Sequence, residues 1–135
     1  MGLPPRPRAA AATAAPGGGA DDAPVFDERV LLGLLGGDRA AVAEILGEYA
    51  ADAPRQLAAL REALLAGDPQ LVQRHAHTLK GASANVGAET VRRAAHRLEL
   101  AAGAGRLDDG AELVTDIETE LERFREAVRA AGAAS

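Results

Sequence analysis

The sequence predicts an all-α protein, an antiparallel four-helix bundle with a short additional N-terminal helix. Three observations carry this. Apolar residues make up 47% of the 135-residue chain, yet aromatics are only 2% and Ala and Leu dominate. Ala, Leu, Glu and Arg are strong helix formers, whereas β-branched and aromatic side chains favour strands. Apolar residues also recur at helical spacing in separate segments, and Gly, Asp and Pro stand between those segments in the order that stops one helix and starts the next.

Residues 1–24 are rich in Ala, Pro and Gly and lack periodicity, so a disordered tail or linker is expected there, with one domain over residues 25–135. The first helix is expected from about Asp27, a capping residue, to Leu35, with Val30, Leu31, Leu34 and Leu35 at helical spacing. Gly36-Gly37 ends it. The second starts after Asp38 and runs to about Ala66 on the stripe Val42, Ile45, Leu46, Tyr49, Ala53, Leu57, Leu60 and Leu64. Pro54 removes one backbone hydrogen bond, but the stripe keeps its register across it, so one bent helix is expected rather than two.

Gly67-Asp68-Pro69 combines a Gly stop, an Asp cap and a Pro at the first helical position. The third helix therefore runs from there to about Val86, closed by Gly87. The fourth spans about Glu89 to Ala102. The fifth spans about Asp109 to Ala130 on Leu113, Ile117, Leu121, Phe124 and Val128. Four long helices with short loops make an antiparallel bundle.

Composition removes several function classes. Cys is absent, so thiolate chemistry and disulfides are excluded. No apolar run approaches the roughly 20 residues that span a bilayer. The N-terminus lacks the Leu-rich centre of a signal peptide, and Gly2 lacks the Ser or Thr of a myristoylation site. A cytoplasmic protein without membrane contact is expected. Net charge is −5, and residues 1–24 are neutral, so all the excess acid falls on the folded part. That argues against a nucleic-acid partner.

The third helix carries the chemistry. At about 100° per residue, Val72, Ala76, Leu79, Ser83 and Val86 share one stripe, the core face. His77 lies roughly 140° from its centre and so faces solvent, with Lys80 and Gly81 one turn further on. His75 sits at the edge of the core stripe. Neutral imidazole is a nucleophile that titrates near pH 6.5, and its Nε2 can form a phosphoramidate. Lys80, at i+3, places a positive charge beside an incoming phosphoryl group, worth about 1–4 kcal/mol at such a site. Gly81, at i+4, removes a side chain next to His77. A mid-helix Gly costs about 1 kcal/mol against Ala, and close approach of a bulky partner would compensate.

Lys80 is the only Lys, the other 14 basic residues being Arg. Residues 69–97 hold Arg74, Lys80, Arg92, Arg93 and Arg97 against Glu89 alone, a local basic surface that suits an acidic partner site.

His77-Thr78-Leu79-Lys80-Gly81, followed by Ser83 and Gly87-Ala88, resembles the H-x-L-K-G-x-(A/S)-x-x-x-G signature of histidine-containing phosphotransfer (HPt) domains. The similarity in pattern extends from about Phe26 to Ala130, including the Gly-Asp-Pro turn before the site helix. The resemblance implies a four-helix bundle that exchanges a phosphoryl group with aspartates of response-regulator receiver domains. It implies His77 as phosphoacceptor, Lys80 as the residue beside the phosphoryl group and Gly81 as the clearance position. No cofactor is expected on this chain, because the receiver supplies Mg²⁺ and most of the catalysis. Receiver domains and a hybrid histidine kinase are the expected partners of a monomer. The Ala/Pro/Gly tail falls outside the family pattern.

The expected partner surface is the outer face around His77: Arg74, Ala84 and Asn85, joined to Leu31 or Leu34. The first helix holds more large apolar residues than one core stripe requires, so at least one of those two leucines should be exposed. Asn85 could equally cap the third helix. His75 reads as a packing or boundary residue, His96 as a solvated position or at most a rim contact on the outer face of the fourth helix, and Arg92, Arg93 and Arg97 as a solvated face. A metal site from His75, His77 and His96 is disfavoured, since residues at i and i+2 do not share a helix face.

No G-x-x-x-x-G-K-(S/T) loop and no kinase-type Gly-rich loop is present, so a phosphocarrier without autokinase activity is expected. The chain could be free-standing or cut from a larger kinase. The alternative is the phosphoacceptor domain of a chemotaxis-type histidine kinase. A bundle that docks a receiver without accepting phosphate is disfavoured by the intact His77.

Overall fold

Five helices follow one another in the computed structural model, which describes residues 25–134; the tail expected over residues 1–24 lies outside them. They are α1 (Glu28–Leu34), α2 (Arg39–Leu65), α3 (Pro69–Asn85), α4 (Glu89–Gly103) and α5 (Gly110–Ala134). No strand occurs among the described residues. The helix boundaries match the cap chemistry in the sequence. Asp27, Asp38 and Asp68 each accept a backbone N–H at 3.1 Å, from Arg29, Ala41 and Leu71. Pro69 occupies the first turn of α3, where its missing N–H costs nothing. Pro54 lies inside α2, which continues through it as one helix.

Two turns set the direction of α3. Gly67 (φ 65°) reverses the chain after α2, and Gly87 (φ 73°) reverses it before α4, both in the left-handed region that a side chain disfavours. At the second turn the Ala88 N–H donates to the Ser83 carbonyl at 2.9 Å, closing the end of α3 through the backbone. α3 and α4 therefore lie antiparallel and side by side.

The core is aliphatic. Val72, Ala76, Leu79, Ser83 and Val86 of α3 are all buried, as the helical wheel requires. They meet Tyr49, Ala53, Leu57 and Leu60 of α2, Val91, Ala94, Ala95 and Leu98 of α4, and Val114, Ile117, Leu121 and Phe124 of α5. Ser83 brings a hydroxyl to the α2–α3 seam. It hydrogen-bonds the Tyr49 hydroxyl at 2.7 Å, which satisfies two polar groups that burial would otherwise penalise. That burial pushes the Tyr49 hydroxyl up to about 12, against the opposing pull of the Ser83 bond and the Arg125 charge.

α1 lies along one end of the bundle. Phe26, just before it, packs edge-on against Phe124 of α5 with ring centroids 5.3 Å apart. Only Leu31 of α1 is buried, 1% exposed, whereas Leu34 is 69% exposed and Val30, one turn before it, 51%. Leu31 is thus a core residue and not a partner contact. A seven-residue helix makes about two turns, and Leu31 is the residue it buries. The exposed apolar pair of α1 is Val30 and Leu34.

Candidate functional site

α3 is held from below by its buried stripe, and this fixes what its outer face presents. His77 sits at mid-helix with its side chain 67% exposed. An ideal Cβ built on Gly81 meets no heavy atom within 4 Å, so the space beside His77 is open. Arg74, Thr78, Ala84 and Asn85 are exposed on the same helix. Asn85 is its last residue and lines the α2–α3 cleft with Ile45, Glu48 and Asp52.

The two histidines of α3 face opposite flanks. His75 Nδ1 lies 3.1 Å from Gln56 Oε1 on α2, while His77 Nδ1 lies 2.8 Å from Glu99 Oε2 on α4. Among the described residues no group of three or more acidic or imidazole side chains could hold a metal ion.

Glu99 is the organising residue that sequence reasoning missed. Its side chain is only 14% exposed. One oxygen takes His77; the other lies 2.7 Å from Lys80 Nζ and 3.5 Å from His96 Nδ1. Burial by itself raises the carboxyl's pKa. The hydrogen bonds from Lys80 and His77 and the Lys80 charge outweigh that, and the group lies below the usual carboxylate range. Glu99 is therefore ionised at neutral pH and can only accept hydrogen bonds. His77 Nδ1 must then be the donor. A neutral His77 carries its proton on Nδ1 and its lone pair on Nε2, the nitrogen away from Glu99. The ring is held at one end and nucleophilic at the other.

Two sequence expectations change. His96 sits at the rim rather than fully in solvent: its side chain is half-buried, and Nδ1 is sealed beside Glu99 with no hydrogen bond of its own. The basic surface is smaller than the count over residues 69–97 implied. Glu89 takes both Arg92 and Arg93, the latter at 3.1 Å, and Glu99, just past that window, takes Lys80. Arg74 and Arg97 are exposed. The Arg92 and Arg93 bonds hold the Glu89 carboxyl below its ordinary range, against a smaller effect of burial. No helix among the described residues is long and apolar enough to cross a membrane.

Comparison with known proteins agrees with this geometry. A family model for the Hpt domain matches residues 44–127, which takes in α3, α4 and most of α2 and α5. The chain is also similar to the crystal structure of histidine-containing phosphotransfer protein B (HptB) from Pseudomonas aeruginosa PAO1. The two are 30% identical with a TM-score of 0.75, over 84% of this chain and 99% of that one. None of the curated proteins matches. Taken with an exposed imidazole at the centre of a helical bundle, the match to the Hpt model over most of the chain means that it belongs to the Hpt domain family of histidine phosphotransfer proteins.

Proposed function

We propose that this phosphorelay domain carries its phosphoryl group on Nε2 of His77. The observation that carries the assignment is the 2.8 Å bond from His77 Nδ1 to an ionised Glu99, on an imidazole that is otherwise exposed. The Nε2 lone pair attacks the phosphorus of an aspartyl phosphate on a receiver domain. The N–P bond forms, the O–P bond breaks and the receiver's aspartate leaves as a carboxylate. The proton on Nδ1 stays in place throughout, and Glu99 balances the charge that develops on the ring.

Lys80 neutralises the arriving phosphoryl oxygens, and Gly81 leaves room for the receiver's backbone. Arg74, Ala84 and Asn85 with Leu34 form the rim that the receiver covers. Mg²⁺ belongs to the receiver, and this chain holds no cofactor and no ATP-dependent kinase activity. It works as a cytoplasmic monomer between a hybrid histidine kinase and its receivers. The chemotaxis-type alternative is not favoured, since the likeness runs over 99% of a phosphotransfer protein.

The test uses receiver domains charged with acetyl phosphate and Mg²⁺, mixed with the full chain and read by intact mass. A phosphoryl adduct should form that is acid-labile and base-stable, as a phosphoramidate is. His77→Gln should abolish it, while His75→Gln and His96→Gln should keep it. Labelling that survives His77→Gln would overturn the assignment.

A further inference from the structure

We propose that His96 is a positioning residue that takes up a proton when His77 is phosphorylated, replacing Lys80 at Glu99 so that Lys80 is free to hold the phosphoryl group. This rests on the reading of His77 given above. It starts from an oddity of the resting site. His96 Nδ1 is buried and lies 3.5 Å from Glu99 Oε1, without a well-formed hydrogen bond to it. A buried ring nitrogen without a partner needs a reason. Here the reason is occupancy, because Lys80 Nζ already stands 2.7 Å from the same oxygen.

Phosphorylation changes that balance. In the resting site Lys80 and Glu99 cancel. Transfer of a phosphoryl group adds one net negative charge: the imidazolium carries one positive charge and the phosphoryl oxygens two negative ones. Lys80 is one helical turn from His77 and is the nearest cation to those oxygens. If it turns to them, Glu99 Oε1 loses its cation in a place where its carboxylate is only 14% exposed. An imidazolium at His96 fills the gap by donating from Nδ1 to Oε1. The proton comes from solvent, and it restores the cluster to neutrality. Histidine is the side chain able to make that change between about pH 5 and 8.

The charged groups facing His96 are few. From α3 they are Lys80 and His77. From α4 they are Glu99, one turn on, and Arg92 and Arg93, one turn before, which both reach Glu89. The buried residues of α4, Thr90, Val91, Ala94, Ala95, Leu98 and Ala102, carry no charge. Among the described residues Glu99 is the carboxylate that His96 Nδ1 approaches, and Lys80 pairs with the same oxygen.

Two measurements decide it. The first follows the His96 ring signals by NMR against pH, in the free full chain and after phosphorylation by phosphoramidate, a small-molecule phosphoryl donor. The His96 midpoint should rise by about one pH unit or more on phosphorylation, the shift that a changed neighbouring charge produces. An unmoved midpoint would overturn the proposal. The second measures the distribution of phosphoryl groups between the chain and a charged receiver against pH. With wild type, the share on the chain should rise as pH falls through the His96 transition, up to about tenfold for a one-unit shift. His96→Gln should flatten that profile. His96→Lys, which supplies a permanent charge, should flatten it at the low-pH level. A profile of wild-type slope in His96→Gln would sink the idea. Absence of any adduct on His77 would overturn the functional reading with it, whereas an adduct without a His96 shift overturns this proposal alone.

Discussion

Gly81→Ala should make the protein more stable and a worse phosphocarrier. Gly81 lies in the interior of α3, where Ala is the better helix former by about 1 kcal/mol. An added Cβ meets no heavy atom within 4 Å and the backbone there is helical, so neither a clash nor strain subtracts from that gain. For a folded region of about 110 residues, 1 kcal/mol corresponds to a rise in Tm of about 4 °C. The same methyl projects one turn from His77 into the space the receiver must enter. A misplacement of about 1 Å can cost up to about a hundredfold in rate, so single-turnover transfer should fall about tenfold or more. Thermal unfolding by circular dichroism and rapid-quench transfer from a charged receiver measure the two sides. Stabilisation with wild-type transfer would mean that clearance is not the reason for Gly81. Destabilisation would mean that the position packs against something and that the reasoning from open space fails.

Lys80→Ala should slow transfer by more than it weakens receiver docking, because its charge meets the phosphoryl group most strongly during transfer; equal loss in single-turnover rate and in affinity would make it a docking residue. Leu34→Ser should leave the melting temperature nearly unchanged and weaken receiver binding, whereas Leu31→Ser, at a buried site, should lose about 2–4 kcal/mol of stability in denaturant unfolding; a Leu34→Ser variant that binds normally removes α1 from the interface. Glu99→Gln should keep an acceptor for His77 Nδ1 while losing the charge, and Glu99→Ala should lose both. Transfer rates should therefore fall in the order wild type, Gln, Ala, and equal rates for all three would show that the ring needs no holding.

Much of this was legible in the sequence, because most of it is local. Caps at Asp27, Asp38 and Asp68 act within three residues, and the buried stripe of α3 and the exposure of His77 follow from helical periodicity on one element. Glu99 was not legible in the same way. Its partners His77 and Lys80 belong to another helix, and a count of charges over residues 69–97 stopped just short of it. A signal was nonetheless present. Once α3 and α4 are taken as antiparallel about Gly87-Ala88, His77 and Glu99 stand equally far from Ala88 in sequence and must face each other. The same folding of the ruler brings Gln73 against Gly103, where the Gln73 side chain fills the space a Cβ would occupy. α1 was harder. Its excess of apolar residues showed that Leu31 or Leu34 should be exposed, but only the packed structure says which: Leu31 is buried and Leu34 exposed.

The bond between Glu99 and His77 also bears on why a carrier of this kind works in both directions. A group that accepts phosphate and then returns it passes through the same transition state twice, so any proton that must leave on acceptance must come back on donation. With Nδ1 already protonated and pinned to a carboxylate at 2.8 Å, Nε2 has no proton to lose. The N–P bond forms and breaks with the proton inventory of His77 unchanged, and the leaving imidazole is neutral when phosphate departs. Neither direction then needs a general base on this chain, and the carboxylate at the site lies on the opposite nitrogen. The chain supplies orientation and charge balance, through Glu99 and Lys80. On the proposed assignment, the steps that differ between acceptance and return, metal binding and release of the aspartate, would fall to the receiver. If His77 is the phosphoacceptor, a carboxylate that pins Nδ1 without taking its proton lets the ring take the phosphoryl group and give it up through the same protonation state.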